Sequence, residues 1–277
     1  PEGTPQTDDG TSVANATGAF PYTSLADGST PGFTLAQIGG KLWDGGASTT
    51  SWFDANNWDP DGVPIATDNV IIGTPAVPNP TVVVSTGTAE CNTLNVGGLA
   101  GAPTLRIDNV NAIDLDDANP GAQWVAAKTT FGAASTVEYL QGNVRSDQYA
   151  NLTVDGTGTL GTAGGAIVVV GNFVKSNTST FSPTHDIGVT GNFTISGGIF
   201  NAGAQTYTIG GNFTRSATFN AGTSTVEFNS DATQQLSGTT TFYNLTRSNG
   251  GTLSLQTGTD VTISNQLNLD DGVLTIN

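Results

Sequence analysis

Positively charged residues are scarce in this chain, which has 7 Lys and Arg against 23 Asp and Glu in 277 residues and a formal net charge of −16. The seven bases are scattered singly along the sequence. Non-specific nucleic-acid binding and charge-driven docking on anionic membranes both need clustered cations. The composition therefore argues against nucleic acid as a partner and against electrostatic docking on a membrane.

Long apolar runs, methionine and paired cysteines are also lacking. The longest purely aliphatic run is 166–170, far short of the roughly 20 residues of a membrane-spanning helix, so we expect no membrane insertion. A chain that begins with Pro1 and has no Met leads us to expect a secreted protein whose export signal has been removed, or else a fragment of a longer chain. The lone Cys91 excludes an intrachain disulfide, and its apolar sequence neighbours predict a buried thiol.

Good helix formers are rare in this composition. Charged residues make up only 11% of the chain, against about 25% in an average soluble domain. Gly supplies 37 residues, and Thr, Asn and Ser are abundant. Because Thr, Val, Ile and Phe favour strands while Gly and Asn favour turns, the composition predicts an all-β fold.

An internal repeat indicates the architecture. The tripeptide Gly-Asn-Phe occurs at 171–173, 191–193 and 211–213, at a constant spacing of 20 residues. Upstream of each copy, apolar residues alternate with polar or small ones, as in a strand that is buried on one side. The repeat predicts a parallel β-solenoid with coils of about 20 residues, in which equivalent residues stack about 4.8 Å apart.

Two columns of like side chains follow from this stacking. The phenylalanines would form one interior aromatic stack. The asparagines would either form a ladder of amides at a corner of the coil or serve only as turn formers. The residues concerned are Phe173, Phe193 and Phe213, and Asn172, Asn192 and Asn212.

Three regions are predicted along the chain. Residues 66–277 would form the solenoid, with about ten coils in a rod about 50 Å long. Residues 41–65 form a Trp-rich segment, in which Trp43, Trp52 and Trp58 would either cap the first coil or stack on sugar rings. We favour the cap, because an uncapped end exposes both the core and the strand edges.

Residues 1–40 are predicted to form an extended N-terminal arm. They contain four acids and no base, and too little apolar surface to fold alone. Their apolar anchors would need cover from the rod of the same chain or from a neighbouring subunit. These anchors are Phe20, Tyr22, Phe33, Leu35 and Ile38.

The Trp-rich segment, with Leu-Trp-Asp-Gly-Gly at 42–46 and Trp-Phe-Asp-Ala-Asn-Asn-Trp at 52–58, resembles the start of bacterial secreted β-helix and passenger-type adhesin regions. The later phrases Thr-Val-Glu-Phe at 225–228 and Gly-Asn-Phe-Thr at 191–194 resemble the repeats of large bacterial surface proteins. The resemblance covers most of 42–277 and implies a right-handed β-helix in a secreted or cell-surface setting. It implies no particular activity, since such rods host both adhesins and polysaccharide-acting enzymes.

Residues that could carry out catalysis are few. His185 is the only histidine and lies beside Asp186, but the sequence has no Gly-x-Ser-x-Gly motif. A polysaccharide lyase or hydrolase needs two or three converging carboxylates, whereas Asp186 is the only acid in 167–219 and others cluster at 114–117. We therefore expect no enzymatic activity.

One turn resembles part of a calcium loop. Asp59 and Asp61 lie in Asp-Pro-Asp-Gly at 59–62, and calcium favours several oxygens in a turn. No terminal Glu completes a twelve-residue loop, so an ordinary Asp-Gly turn is the alternative. Apart from calcium here, we expect no cofactor.

The regular pattern continues through Leu274 and Ile276. A last coil without a polar cap would offer apolar side chains and unpaired backbone groups to a partner. We therefore expect an extracellular structural protein that assembles with itself into a filament or surface fibre, with the arm on a neighbour. The alternative is a carbohydrate-binding or polysaccharide-degrading β-helix protein, for which surface glycans would be partners.

Overall fold

The computed structural model describes residues 40–99, 101–110, 113–115 and 124–276, and nearly all regular elements among them are strands. Residues 1–39 of the predicted arm lie outside the described residues. Its last residue, Gly40, is the first residue of β1. Two short 3-10 helices occupy Ala55–Asn57 and Ala126–Lys128. The strands, in chain order, are β1 (Gly40–Trp43), β2 (Trp58–Asp59), β3 (Asn69–Ile72), β4 (Thr81–Val84), β5 (Ala89–Glu90), β6 (Thr93–Val96), β7 (Thr104–Ile107), β8 (Ile113–Asp114), β9 (Thr129–Phe131), β10 (Thr136–Tyr139), β11 (Asn143–Arg145), β12 (Gln148–Tyr149), β13 (Asn151–Val154), β14 (Thr159–Ala163), β15 (Ile167–Val169), β16 (Phe173–Lys175), β17 (Thr180–Phe181), β18 (Ile187–Val189), β19 (Phe193–Ile195), β20 (Ile199–Asn201), β21 (Thr206–Ile209), β22 (Phe213–Arg215), β23 (Thr218–Asn220), β24 (Thr225–Phe228), β25 (Gln234–Ser237), β26 (Thr240–Arg247), β27 (Thr252–Leu255), β28 (Val261–Leu269) and β29 (Val273–Ile276).

The strands stack into sheets that run along a solenoid. One sheet has ten strands in the order β29-β27-β25-β22-β19-β16-β13-β10-β7-β4, and a second has seven in the order β12-β15-β18-β21-β24-β26-β28. Two five-stranded sheets, β11-β14-β17-β20-β23 and β2-β1-β3-β6-β9, and the pair β5-β8 complete the set. The prediction of an all-β, parallel β-solenoid is confirmed, with about nine turns.

Coil length is regular in the middle of the chain and varies before it. Phe193 pairs with Phe173 on one side and with Phe213 on the other, which reproduces the 20-residue period. Upstream, Thr136 pairs with Thr104 and with Asn151, so consecutive coils contain 32 and 15 residues. The long coil includes residues 116–123, which lie outside the described residues.

Alternate residues of each strand point into a continuous core. In β21, Tyr207 and Ile209 are buried while Thr206 and Thr208 are partly exposed. The same alternation holds in β4, β6, β7 and β13. The period of two in the sequence therefore places the apolar side chains of successive coils in stacked interior columns.

Two similar strand pairs recur in different sheets. Thr136 of β10 pairs with Asn151 of β13 in the ten-stranded sheet, and Thr225 of β24 pairs with Asn244 of β26 in the seven-stranded sheet. The last coils depart from the repeat, however. Residues 261–269 form the single strand β28, whereas the stretch 94 residues earlier, 167–175, turns a corner between β15 and β16.

Candidate functional site at the two ends of the solenoid

The N-terminal end of the rod is covered by residues 43–59. In the five-stranded sheet β2-β1-β3-β6-β9, β2 pairs antiparallel with β1. At the edge of the ten-stranded sheet, the amide of Val83 in β4 donates to the Thr50 carbonyl at 2.7 Å, and the amide of Trp52 donates to the Val83 carbonyl at 3.0 Å. Because these residues already occupy the outer edge of β4, a further coil cannot pair there.

The three tryptophans predicted as a cap all lie in this segment. Trp43, Trp52 and Trp58 are 2%, 0% and 0% exposed. The ring centroid of Trp58 lies 5.0 Å from that of Trp43 and 4.9 Å from that of Trp52, both edge to face. The Trp58 Nε1 donates to the Trp52 carbonyl at 2.8 Å. Since their ring faces are buried, these tryptophans offer no platform on which a sugar could stack.

The turn considered for calcium is crossed by a lysine. The Lys41 Nζ donates to the carbonyls of Pro60 and Asp61 at 2.7 and 3.2 Å, while Asp59 and Asp61 are themselves exposed. Within the part of the chain that the structure describes, no group of three or more His, Cys, Asp or Glu side chains could hold a metal. The carbonyl oxygens of this turn therefore already bind a cation, the ammonium of Lys41.

At the C-terminal end, inward-facing side chains lose their cover. Leu245 is 1% exposed, whereas Leu267, its partner one coil later, is 43% exposed. Leu255 is 5% exposed and its partner Ile276 is 81% exposed, with Leu274 half-buried beside it. Because β28 and β29 are the last strands of their sheets among the described residues, one backbone edge of each is open as well.

The predicted phenylalanine column lies in the middle of the core. Phe173, Phe193 and Phe213 are each at most 1% exposed. The ring centroid of Phe193 lies 4.6 Å from that of Phe173 and 5.8 Å from that of Phe213. Phe200, from a second interior column, packs edge to face on Phe193 at 5.5 Å. The structure thus brings the three predicted residues into direct aromatic contact.

The asparagines of the repeat are joined by side-chain to backbone hydrogen bonds. The amide of Asn192 donates to the Oδ1 of Asn172 at 3.0 Å, and the amide of Asn212 donates to the Oδ1 of Asn192 at 2.9 Å. The series extends by one coil on each side, to Asn151 and Gln235. Each asparagine therefore ties its coil to the next one.

Among the described residues, those weighed for catalysis are not assembled into a catalytic group. The His185 Nδ1 lies 3.0 Å from the Thr162 Oγ1, whereas the Asp186 Oδ1 accepts a hydrogen bond from a backbone amide of the next coil at 2.8 Å. The two side chains thus have separate partners. Asp114 is buried in β8, and residues 116–117 lie outside the described residues.

Sequence reasoning missed two cations in the interior. Lys175 and Arg247 are both 0% exposed. The Lys175 Nζ donates to the carbonyls of Ser176 and Gly197, the latter at 3.1 Å. Arg247 donates to four carbonyls, among them that of Phe228 at 2.7 Å. Burial lowers the pKa of both groups. Their place in the alternating pattern, as the inward residues ending β16 and β26, was the available signal.

Buried titratable groups also lie in the core. The hydroxyls of Tyr139 and Tyr149 are 3.1 Å apart, and the Tyr149 hydroxyl donates to the Arg145 carbonyl at 2.8 Å. Burial raises the pKa of both tyrosines and of Cys91, which is a buried free thiol. These groups are held in their neutral forms and act as core side chains.

Comparison with protein-family models, curated proteins and solved structures finds no match to this chain. Among the residues that the structure describes, no helix has the length and apolar character needed to span a membrane. The geometry of the two ends is therefore the main structural guide to function.

Proposed function

We propose that this chain is an extracellular structural protein that assembles head to tail, as a right-handed β-solenoid rod, into a filament or surface fibre like those of bacterial secreted adhesins. The right hand is expected because crossover connections between parallel strands are right-handed in about 98% of cases. The proposal gives the rod no catalytic role and no cofactor.

The contrast between the two ends carries this proposal. The N-terminal end is covered by residues 43–59. At the other end Leu267 and Ile276 are exposed, although Leu245 and Leu255, which precede them by one coil in the same interior columns, are buried. Complete burial of such a side chain contributes about 1.5–3 kcal/mol, and an open strand edge accepts a further strand. A contact between unlike ends that does not close a ring propagates as a filament.

The arm is the partner that we propose for this end. Phe33 is seven residues from Gly40 and can extend about 23 Å from it at about 3.3 Å per residue. The first and last strands of the ten-stranded sheet are nine steps apart, or about 43 Å. Phe33, Leu35 and Ile38 are therefore too close to Gly40 to reach the C-terminal coil of their own chain, whereas Phe20 and Tyr22 are not. All five anchors can reach the C-terminal coil of a copy aligned in front.

The first test is the assembly of a variant at the open end. Leu267→Asp places a charge in the exposed interior column, and we expect the concentration needed for filaments in electron microscopy to rise about ten-fold or more. Val168→Asp is the matched control, because Val168 is 45% exposed against 43% for Leu267 but lies on the side of the rod. Equal effects of the two substitutions would contradict an interface at this end.

The second test concerns the arm. A synthetic peptide of residues 1–39 should bind the chain that lacks those residues and should stop filament growth of the full chain. The Leu267→Asp rod should bind it more weakly. Filaments of normal length from the shortened chain would show that the arm is not the joint.

A groove on the seven-stranded sheet favours one second candidate, the binding of surface glycans. The groove lies over Gly188 and Gly210 and is lined by polar side chains that include Thr190, Thr208 and Asn229. Hydroxyl and amide groups of this kind can hydrogen-bond to sugars. Gly188→Leu should fill it, because a Cβ at Gly188 would meet nothing within 4 Å. Binding on a glycan array that survives this substitution would exclude the groove.

A further inference from the structure

The outward side of the ten-stranded sheet presents similar small polar residues on successive coils. Two outward columns run along the rod over β13, β16, β19, β22 and β25. The first is the asparagine column, extended by a glutamine, and the second consists of hydroxyl residues with one valine among them. In coil order, the members are Asn151, Asn172, Asn192, Asn212 and Gln235, and Thr153, Val174, Thr194, Thr214 and Ser237.

The two columns form an array with regular spacing. Successive coils lie about 4.8 Å apart, and two residues along a strand place the columns about 6.6 Å apart. The asparagine side chains are fixed within the array, because the Oδ1 of Asn172 and that of Asn192 each accept the backbone amide of the next coil. Side chains that are already ordered lose little conformational entropy when a partner binds.

The array has hydrogen-bonding groups to spare for a partner. In the described part of the chain, the Nδ2 groups of Asn172, Asn192 and Asn212 donate to no protein atom, and the hydroxyls of Thr194 and Thr214 have no hydrogen bond. Thr214 is exposed and Thr194 is half-buried. An amide nitrogen donates, and a hydroxyl both donates and accepts. Solvent or a ligand must satisfy these groups.

The chemistry of the array limits the kind of partner. None of its ten residues is charged, although the chain has a net charge of −16, so an ionic partner would meet no opposite charge. None is aromatic, and the intervening Phe193 and Phe213 are buried, so a sugar ring has no aromatic face on which to stack. An uncharged partner with regularly spaced hydrogen-bonding groups fits this surface best.

We propose that this face of the rod binds the surface of ice crystals. Each water molecule of ice can both donate and accept hydrogen bonds, and the shortest repeat of its oxygen lattice is close to the coil spacing. Water molecules in a crystal are already immobilised, so the entropic cost of ordering water at the interface is small. The inference does not depend on the head-to-tail joint, because the array lies on the side of the rod and is present in each single chain.

The experiment uses the 277-residue chain and pure ice as the probe. One measurement is the fraction of the protein that is taken into slowly growing ice, and the other is the gap between the melting and freezing temperatures of a single ice crystal in the protein solution. We expect enrichment in the ice and a gap, because adsorbed protein blocks growth of the crystal surface.

Two tyrosine variants separate the array from the rest of the rod. Thr194→Tyr places a large ring in the middle of the array, which would hold its other groups away from a flat crystal, so we expect loss of both ice uptake and the temperature gap. Thr208→Tyr is the matched control, because Thr208 is also an outward, half-buried residue of a strand but lies in the seven-stranded sheet. This variant should keep both activities. Circular dichroism would show that both variants are folded.

Three results would overturn the inference. One is exclusion of the natural chain from growing ice with no temperature gap, and another is an equal effect of the two tyrosine variants. The third is binding to crystalline cellulose or chitin, but not to ice, that Thr194→Tyr removes, since it would assign the array to a polysaccharide surface. Each of these results leaves the proposed head-to-tail assembly standing, because that assembly is tested at Leu267.

Discussion

Replacing Phe193 by Ala removes the central ring of the aromatic column, and we expect it to lower the free energy of unfolding by about 3–5 kcal/mol. Phe193 is 1% exposed, and the rings of Phe173 and Phe213 flank it from the coils before and after, at 4.6 and 5.8 Å. Backbone pairing holds neighbouring coils about 4.8 Å apart. Because the coils cannot collapse into the space, we expect most of the cavity cost to be observed.

The measurement is a urea titration followed by circular dichroism, with Thr194→Ala as control. Thr194 lies on the same strand but faces outward and is half-buried, so its replacement should change stability by no more than about 0.5 kcal/mol. Solenoid stability is close to a sum of coil and interface contributions. If the coils around Phe193 unfold before the rest, the m-value should fall, because less surface is exposed in that transition.

A loss below about 1 kcal/mol with an unchanged m-value would refute the reasoning. It would mean either that Phe193 is not in the core or that neighbouring coils relax into the cavity. Hydrogen exchange distinguishes these cases, because relaxation leaves the amides of residues 193–195 protected.

Three further outcomes test the core and the ladder. The free energy of unfolding should fall as the pH rises above about 10, because Tyr139 and Tyr149 have raised pKa values in the folded chain and ionise first in the unfolded chain. The variant Tyr139→Phe should show a weaker dependence of this free energy on pH, as measured by urea titrations at a series of pH values. Asn192→Ala should cost about 0.5–1.5 kcal/mol, since the amide of Asn212 loses its acceptor, and Asn192→Asp should restore most of it. Lys175→Met should cost about 1–3 kcal/mol in thermal unfolding, because two carbonyls at the corner lose their donor, and a cost near zero would mean that water replaces the ammonium.

The regular coils were predictable from the sequence because they are specified by the spacing of residues within one or two coils. Phe173, Phe193 and Phe213 recur at one spacing, and in a parallel solenoid equal spacing places equal residues one above another. The alternation of apolar and polar residues identifies the inward side of each strand. A sequence with both the 20-residue repeat and this alternation leaves little choice in how the strands of neighbouring coils pair.

The roles of individual side chains were less predictable. The sequence suggested two uses for Trp43, Trp52 and Trp58, and their burial at the end of the rod excludes a sugar platform. In the sequence Lys175 is one of several scattered bases, yet its Nζ reaches corner carbonyls from inside the core. A sequence pattern gives the direction of a side chain but not the distant backbone that it contacts.

By itself, the sequence determined the fold class, the coil period and the residues of the interior columns, because strand alternation and a constant repeat act over one or two coils. Only the tertiary structure decided the lengths of the irregular coils, the covering of the β4 edge by residues 50–52, and the exposure of Leu267. Each of these depends on contacts between residues that are 15 or more positions apart in the sequence. An apolar side chain is buried or open to a partner according to whether a next coil lies over it. The alternating pattern does not distinguish these cases, because residues 261–276 have the same pattern as the covered strands with which they pair.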